Sequence, residues 1–173
     1  MGSERGVVVS NSGPLIHLAR IDLLNLLKKL FGKVVIPIDV RIEVVDRGKE
    51  EGAADAFLIE SEIRAGWIVI EEIITDDSVK EIANSVGIEI VESAAIMLAR
   101  RKKCPILLDD LAARRFATGL GLEVAGSIGV LIRSTKNQKL SKSEALDALE
   151  RLARVMWLSV DVYEDARKTI EGL

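Results

Sequence analysis

At 173 residues the chain is sized for one domain, and its 49% apolar content allows a large core, aliphatic because aromatics make up only 3%. A net charge of −3 argues against a protein that coats nucleic acid by bulk attraction, but not against one that grips phosphates locally. The single cysteine, Cys104, excludes an internal disulfide and points to a reducing compartment. The start MGSERG lacks the apolar core of a signal peptide and no apolar run has membrane-spanning length, so a cytoplasmic protein without membrane contact is expected.

Residues 7–10 (VVVS) read as a short buried parallel strand. In the turn Asn11-Ser12-Gly13-Pro14, Asn or Ser can cap a helix and Pro14 suits its first turn; Leu15, Leu18 and Ala19 then repeat at helical spacing. Residues 22–31 form an amphipathic helix with Leu23, Leu27 and Leu30 inward, stopped by Gly32. A strand over 34–36 leads to a helix opened by Pro37, carrying Val40, Glu43 and Val44 and expected to end at Gly48. A helix over 50–65, a strand over 67–70 and a helix over 76–86, with Asp77 or Ser78 near its cap, come next. Residues 88–103 predict a helix with Val91, Ala95, Leu98 and Ala99 inward. Strands over 106–108 and 123–125 flank a helix over 111–120, and helices over 128–134, 142–155 and 161–170 complete the chain. Short strands alternating with helices imply an α/β fold, a parallel sheet with helices on both faces. Residues 1–173 are expected to be one domain, with a core over about 6–135 and a helical extension over about 141–173.

Ligands of an open parallel sheet bind outside the carboxyl ends of its strands. Asn11 ends the first strand and Asp109 and Asp110 end the strand at 106–108, so in a parallel arrangement these residues share one crevice. Glu43 lies on the edge of its helix's apolar stripe. Glu92 lies beside the buried stripe of the 88–103 helix, next to Ser93, Ala94 and Ala95, small enough to let its backbone approach the sheet. Carboxylates packed together cannot all remain ionised unaided. A hard divalent cation such as Mg²⁺ or Mn²⁺ resolves the conflict, prefers oxygen ligands and activates water for hydrolysis at phosphorus.

Each residue also has a plainer reading. Asp109 or Asp110 can cap the following helix, and Glu43 and Glu92 can be solvated helix edges. Arg114 and Arg115 can clamp a phosphate, or Arg114 can pair with Asp110 at i,i+4. Ser10, Ser12 and Ser127 can touch substrate, and Ser12 can equally cap. The only histidine, His17, falls among apolar residues and reads as structural rather than as a general base; with no second ligand of its kind, zinc is not expected. Cys104 reads as a buried small residue. The runs Arg100-Arg101-Lys102-Lys103 and Lys136, Lys139, Lys142 read as solvated faces, with gripping an RNA backbone as the alternative.

Taken in order, the strand-turn VVVSNSGPLI, the helical Glu43, the segment EIVESAAIMLAR and the segment ILLDDLAARRFATGLGLEVAGSIGVL resemble the PIN-domain superfamily over roughly residues 6–135. The nearest likeness is a prokaryotic branch in which DD precedes a helix bearing AR, followed by GL and a G-S/T-x-G-x-L segment. The resemblance implies a PIN-like three-layer α/β/α fold with a central parallel sheet and extra C-terminal helices. It implies an endoribonuclease dependent on Mg²⁺ or Mn²⁺, related to VapC-type toxins. Glu43, Glu92 and Asp110 would be its catalytic metal-site carboxylates, with Asn11 and Asp109 completing the coordination. Arg114, Arg115 or Ser12 would meet the substrate phosphate. RNA is then the expected partner and a homodimer the expected assembly, with an antitoxin protein if the chain is a toxin.

One position departs from that pattern. Nuclease-active PIN domains have Asp at the end of the first strand, where this chain has Asn11. An amide oxygen ligates a metal without bringing charge, and ligand charge tunes affinity. Two readings follow: a working site in which Asp109 supplies the charge, or a catalytically degenerate module that binds nucleic acid or a protein partner without cutting.

Overall fold

The computed structural model describes residues 6–74 and 77–173. Its five strands are β1 (Val7–Ser10), β2 (Lys33–Pro37), β3 (Ile68–Glu71), β4 (Ile106–Leu107) and β5 (Val124–Ala125). They form one sheet in the order β3-β2-β1-β4-β5, with every neighbouring pair parallel. The chain builds from β1 to one edge, returns to the other side of β1, and builds to the second edge. The β1–β4 seam is therefore where the order reverses. Val9 lies opposite Ile106 and Ser10 opposite Leu107, so the carboxyl ends of the two strands are level.

The two-residue period of a strand sorts the aliphatic side chains between two cores. Val8, Val34, Ile36 and Leu107 face one core; Val9, Val35, Ile106 and Leu108 face the other, and all eight are fully buried. The first core is closed by α1 (Ser12–Arg20), α2 (Asn25–Phe31), α5 (Ala54–Arg64), α9 (Ser127–Lys136), α10 (Lys142–Met156) and α11 (Val160–Glu171). The second is closed by α7 (Ile90–Lys102) and α8 (Leu111–Gly119). The result is the three-layer α/β/α arrangement. Ala148, Leu149, Leu152 and Ile170 of the last two helices sit in the same core as Val8 and Leu15. On α7, Ser93, Ala94 and Ala95 are all buried, as their small size predicts. Among the described residues no helix is long and apolar enough to cross a membrane.

The segment after β2 differs from expectation. It runs through α3 (Ile38–Arg41), a π-helical stretch (Ile42–Arg47) and α4 (Gly48–Glu50) without a break. Gly48 does not end it: its backbone is right-handed helical, with φ −60 and ψ −38. The turn comes at Gly52, whose φ of +72 suits glycine, and α5 consequently starts at Ala54 rather than at residue 50. Gly48 serves packing instead, since a Cβ there would lie 2.7 Å from the Ala56 Cβ on α5. π-helical turns re-aim side chains and recur at functional sites, and Glu43 lies in this one. Other boundaries move as well, with α7 starting at Ile90 rather than at residue 88. Asp22 is left-handed (φ 58), which delays α2 to Asn25, and α6 spans Asp77–Ser85, with Asp76 outside the described residues.

The Gly48–Ala56 contact makes a direct prediction. Gly48→Ala should destabilise the protein by about 1–3 kcal/mol through overpacking, read as a lower urea midpoint. Adding Ala56→Gly should recover part of that loss, because the two methyl groups compete for one space. An unchanged midpoint in the single variant removes the close-packing account.

Candidate functional site

Outside the carboxyl ends of β1 and β4, where the strand order reverses and α/β sheets form their ligand crevices, lies a crevice of about 240 Å³. Four segments build its wall. Asn11, just past β1, stands with Ser12, Gly13 and His17 of α1, and the π-helical stretch contributes Glu43. The start of α7 contributes Glu89, Val91 and Glu92, and the end of β4 contributes Asp109 and Asp110. All five residues of the expected metal set thus line one crevice, together with Ser12. Arg114 and Arg115 do not line it.

The hydrogen bonds divide these residues into two groups. In the first, each carboxylate commits one oxygen to the protein. Glu43 Oε2 accepts the Ser12 hydroxyl at 2.6 Å. Asp110 Oδ1 accepts the Ala113 N–H at 2.9 Å, capping α8 as its plainer reading predicts. Glu92 Oε2 accepts the Glu89 N–H at 3.1 Å, the returning half of a capping box. Asn11 occupies the N-cap position of α1, yet its side chain makes no capping bond; its Oδ1 is buried with no hydrogen-bond partner. A buried oxygen in that state costs about 1–3 kcal/mol.

Asp109 forms the second group. Its Oδ1 accepts the Ser127 N–H at 2.7 Å, and its Oδ2 accepts the Ser127 hydroxyl at 2.6 Å. His17 Nδ1 lies 2.7 Å from the same Oδ2. This carboxylate ties the end of β4 to α1 and to the start of α9. Gly126 must be small for that reason: a Cβ there would lie 2.7 Å from Asp109 Oδ1 and 3.1 Å from the Leu108 carbonyl. Arg114 donates from Nη1 to that carbonyl at 3.1 Å, and among the described residues it forms no ion pair with Asp110. Arg115 is exposed. Cys104 is half-buried, away from the crevice, and burial holds its thiol above the ordinary value.

A family profile described as a PIN domain matches residues 7–171. This chain belongs to the PIN-domain family. The match takes in α10 and α11 as well as the sheet, and the family carries a nuclease fold, an association with nucleic acid and typical use of divalent metals. No curated protein and no solved structure matches the chain.

In this PIN domain Glu92 carries the clearest electrostatic signature. Burial raises its pKa, the Glu89 N–H partly opposes this, and the carboxylates of Asp110, Glu89 and Glu43 raise it further. Among the described residues no group of three or more His, Cys, Asp or Glu stands close enough to hold an ion as the side chains lie. Two titratable lining residues stand outside the expected site, Glu89 and His17, the latter read from the sequence as structural, and each had a signal. Glu89 stands three residues before Glu92, the spacing of a capping box. His17 stands four after Gly13, so the two share one side of α1.

The Glu92 shift has a sign that can be checked in metal-free protein. A carboxyl raised above its ordinary 4.5 holds more protons folded than unfolded between the two values, so stability falls as pH rises through that window. Glu92→Gln should therefore raise Tm at pH 7.5 in EDTA. The advantage should shrink as pH falls toward the ordinary carboxylate range. An advantage that does not depend on pH would assign the effect to packing.

Proposed function

We propose that this PIN domain is a divalent-metal-dependent ribonuclease that hydrolyses RNA phosphodiester bonds in the crevice at the β1–β4 seam. The observation that carries the reading is Asn11 Oδ1, buried, unpartnered and on the wall of an acidic crevice. A bound ion is one explanation of a buried polar atom left without a partner. The donors fit a hard cation. Asn11, Glu43, Glu92 and Asp110 offer oxygen alone, the preference of Mg²⁺ and Mn²⁺, and among the described residues each of the three carboxylates keeps one oxygen free of protein hydrogen bonds. The mutual repulsion that helps raise the Glu92 pKa is the conflict a cation relieves.

Asn11, Glu43, Glu92 and Asp110 would hold the metal, with Asp109 outside the set because both its oxygens are engaged. A divalent cation bound there supplies an acidified water and offsets charge on the phosphate. Ser12 orients Glu43 through its hydroxyl, and the α8 cap orients Asp110. Glu92 offers the metal the oxygen that the Glu89 N–H leaves free. Arg114 has its Nη1 engaged with Leu108, and neither it nor Arg115 lines the crevice, so the phosphate contact falls to a lining residue.

Asn11 also supports a second reading, since an amide adds no charge to the site: a module that binds nucleic acid without cutting it. Cleavage of a mixed RNA panel in Mn²⁺ separates the two. The natural protein should cut, and Asp110→Asn and Glu92→Gln should each lose about a hundredfold or more. Mn²⁺ should raise the Tm of the natural protein, by mass action on the folded state. Undiminished cleavage by Asp110→Asn overturns the assignment. No cleavage by the folded natural protein, with activity appearing on Asn11→Asp, establishes the second reading.

A further inference from the structure

Five carboxylates line the crevice, and among the described residues His17 is the one lining side chain that can carry positive charge. A phosphate entering an acidic crevice needs more than one group to offset its charge. The two nearby arginines do not fill that place: neither lines the crevice, and Arg114 is engaged with Leu108. His17 is not a core histidine either. Its side chain is 22% exposed, and its Nδ1 lies 2.7 Å from Asp109 Oδ2.

Asp109 is in turn held by the Ser127 N–H and hydroxyl at 2.7 and 2.6 Å. The chain Ser127–Asp109–His17 joins residues from three separate segments, and ends on an imidazole at the wall of the site. A carboxylate on one ring nitrogen orients the ring and leaves the other to meet a ligand. With Nδ1–H donating to Asp109, that other nitrogen is Nε2, which donates to a phosphate oxygen when the ring is the imidazolium. The Ser127 N–H bond caps the start of α9, but the contact between Asp109 and His17 caps no helix and fills no core.

We propose that His17 is a substrate-contacting residue of this crevice, its ring set by Asp109 and Ser127 so that Nε2 meets a phosphodiester oxygen. The proposal rests on the phosphodiester substrate of the preceding section. It makes Asp109 a positioning residue in place of a metal ligand.

Because His17 is the only histidine, ¹⁵N-histidine labelling of the full chain reports this ring alone. Long-range ¹H–¹⁵N spectra in Mg²⁺ should show Nε2 shifting on addition of the dinucleotide UpU. Its neutral methylphosphonate counterpart should leave Nε2 in place, and Asp109→Asn should move the Nδ1 signal. In the RNA cleavage assay, His17→Ala should lower kcat/KM about 10- to 100-fold, with His17→Gln, which keeps an N–H donor, recovering part of the loss. A ring unmoved by UpU at its solubility limit overturns the proposal. If the natural protein cuts RNA and His17→Ala cuts equally well, the proposal falls and the nuclease reading stands. If no RNA is cut but Nε2 responds to UpU and not to the methylphosphonate, the nuclease reading falls and the contact stands.

Discussion

β1 has neither a free edge nor a free face, and the rest of the molecule follows from that constraint. Val7, Val8 and Val9 are paired with β2 on one side, and Val9 and Ser10 with β4 on the other, while Val8 and Val9 are wholly buried on opposite faces. So short a strand satisfies its backbone only if both neighbours align with it, which fixes where each carboxyl end stops. Asn11 is the first residue past the strand, and its N–H is still held by the Leu107 carbonyl at 3.1 Å. Its side chain is thereby delivered to the seam. The crevice is a by-product of sheet order: the helices that follow β1 and β4 leave the seam toward opposite faces.

The consecutive aspartates after β4 divide two tasks between them. Successive residues of an extended chain point in opposite directions, so Asp110 meets the first turn of α8 while Asp109 meets Ser127 and His17. The first keeps a carboxylate on the crevice wall; the second holds two walls of that crevice together. Gly126 belongs to the same unit, because only a residue without a side chain lets α9 begin this close to Asp109.

The two-residue and helical periodicities are local properties, and the elements resting on them were legible: the strands, their burial on both faces, the helices, and the meeting of Asn11, Asp109 and Asp110 at one crevice, which Glu43 and Glu92 joined only through the resemblance to PIN domains. Features decided by a distant neighbour were not. A glycine that ends a helix and a glycine that admits another helix look alike in sequence; Gly48 is the second kind because Ala56 stands against it. Arg114 had Asp110 at ideal helical spacing but turned to the Leu108 carbonyl instead. Asn11 is a strong capping residue that does not cap, a choice set by the buried seam. His17 looked structural because its sequence neighbours are apolar, whereas its partner Asp109 lies 92 residues away.

The strand order also dictates a history for the chain during synthesis. β1 leaves the ribosome before either neighbour, and β4, which completes its pairing, is made only after two other strands and three of the six helices of the first core. The last cover for that core, Ile170 on α11, arrives later still. Contacts so distant in sequence form slowly, and an apolar strand with unpaired edges is prone to aggregate while it waits. The central strand therefore keeps one edge unpaired until β4 is made, and its core stays incompletely covered until α11 follows.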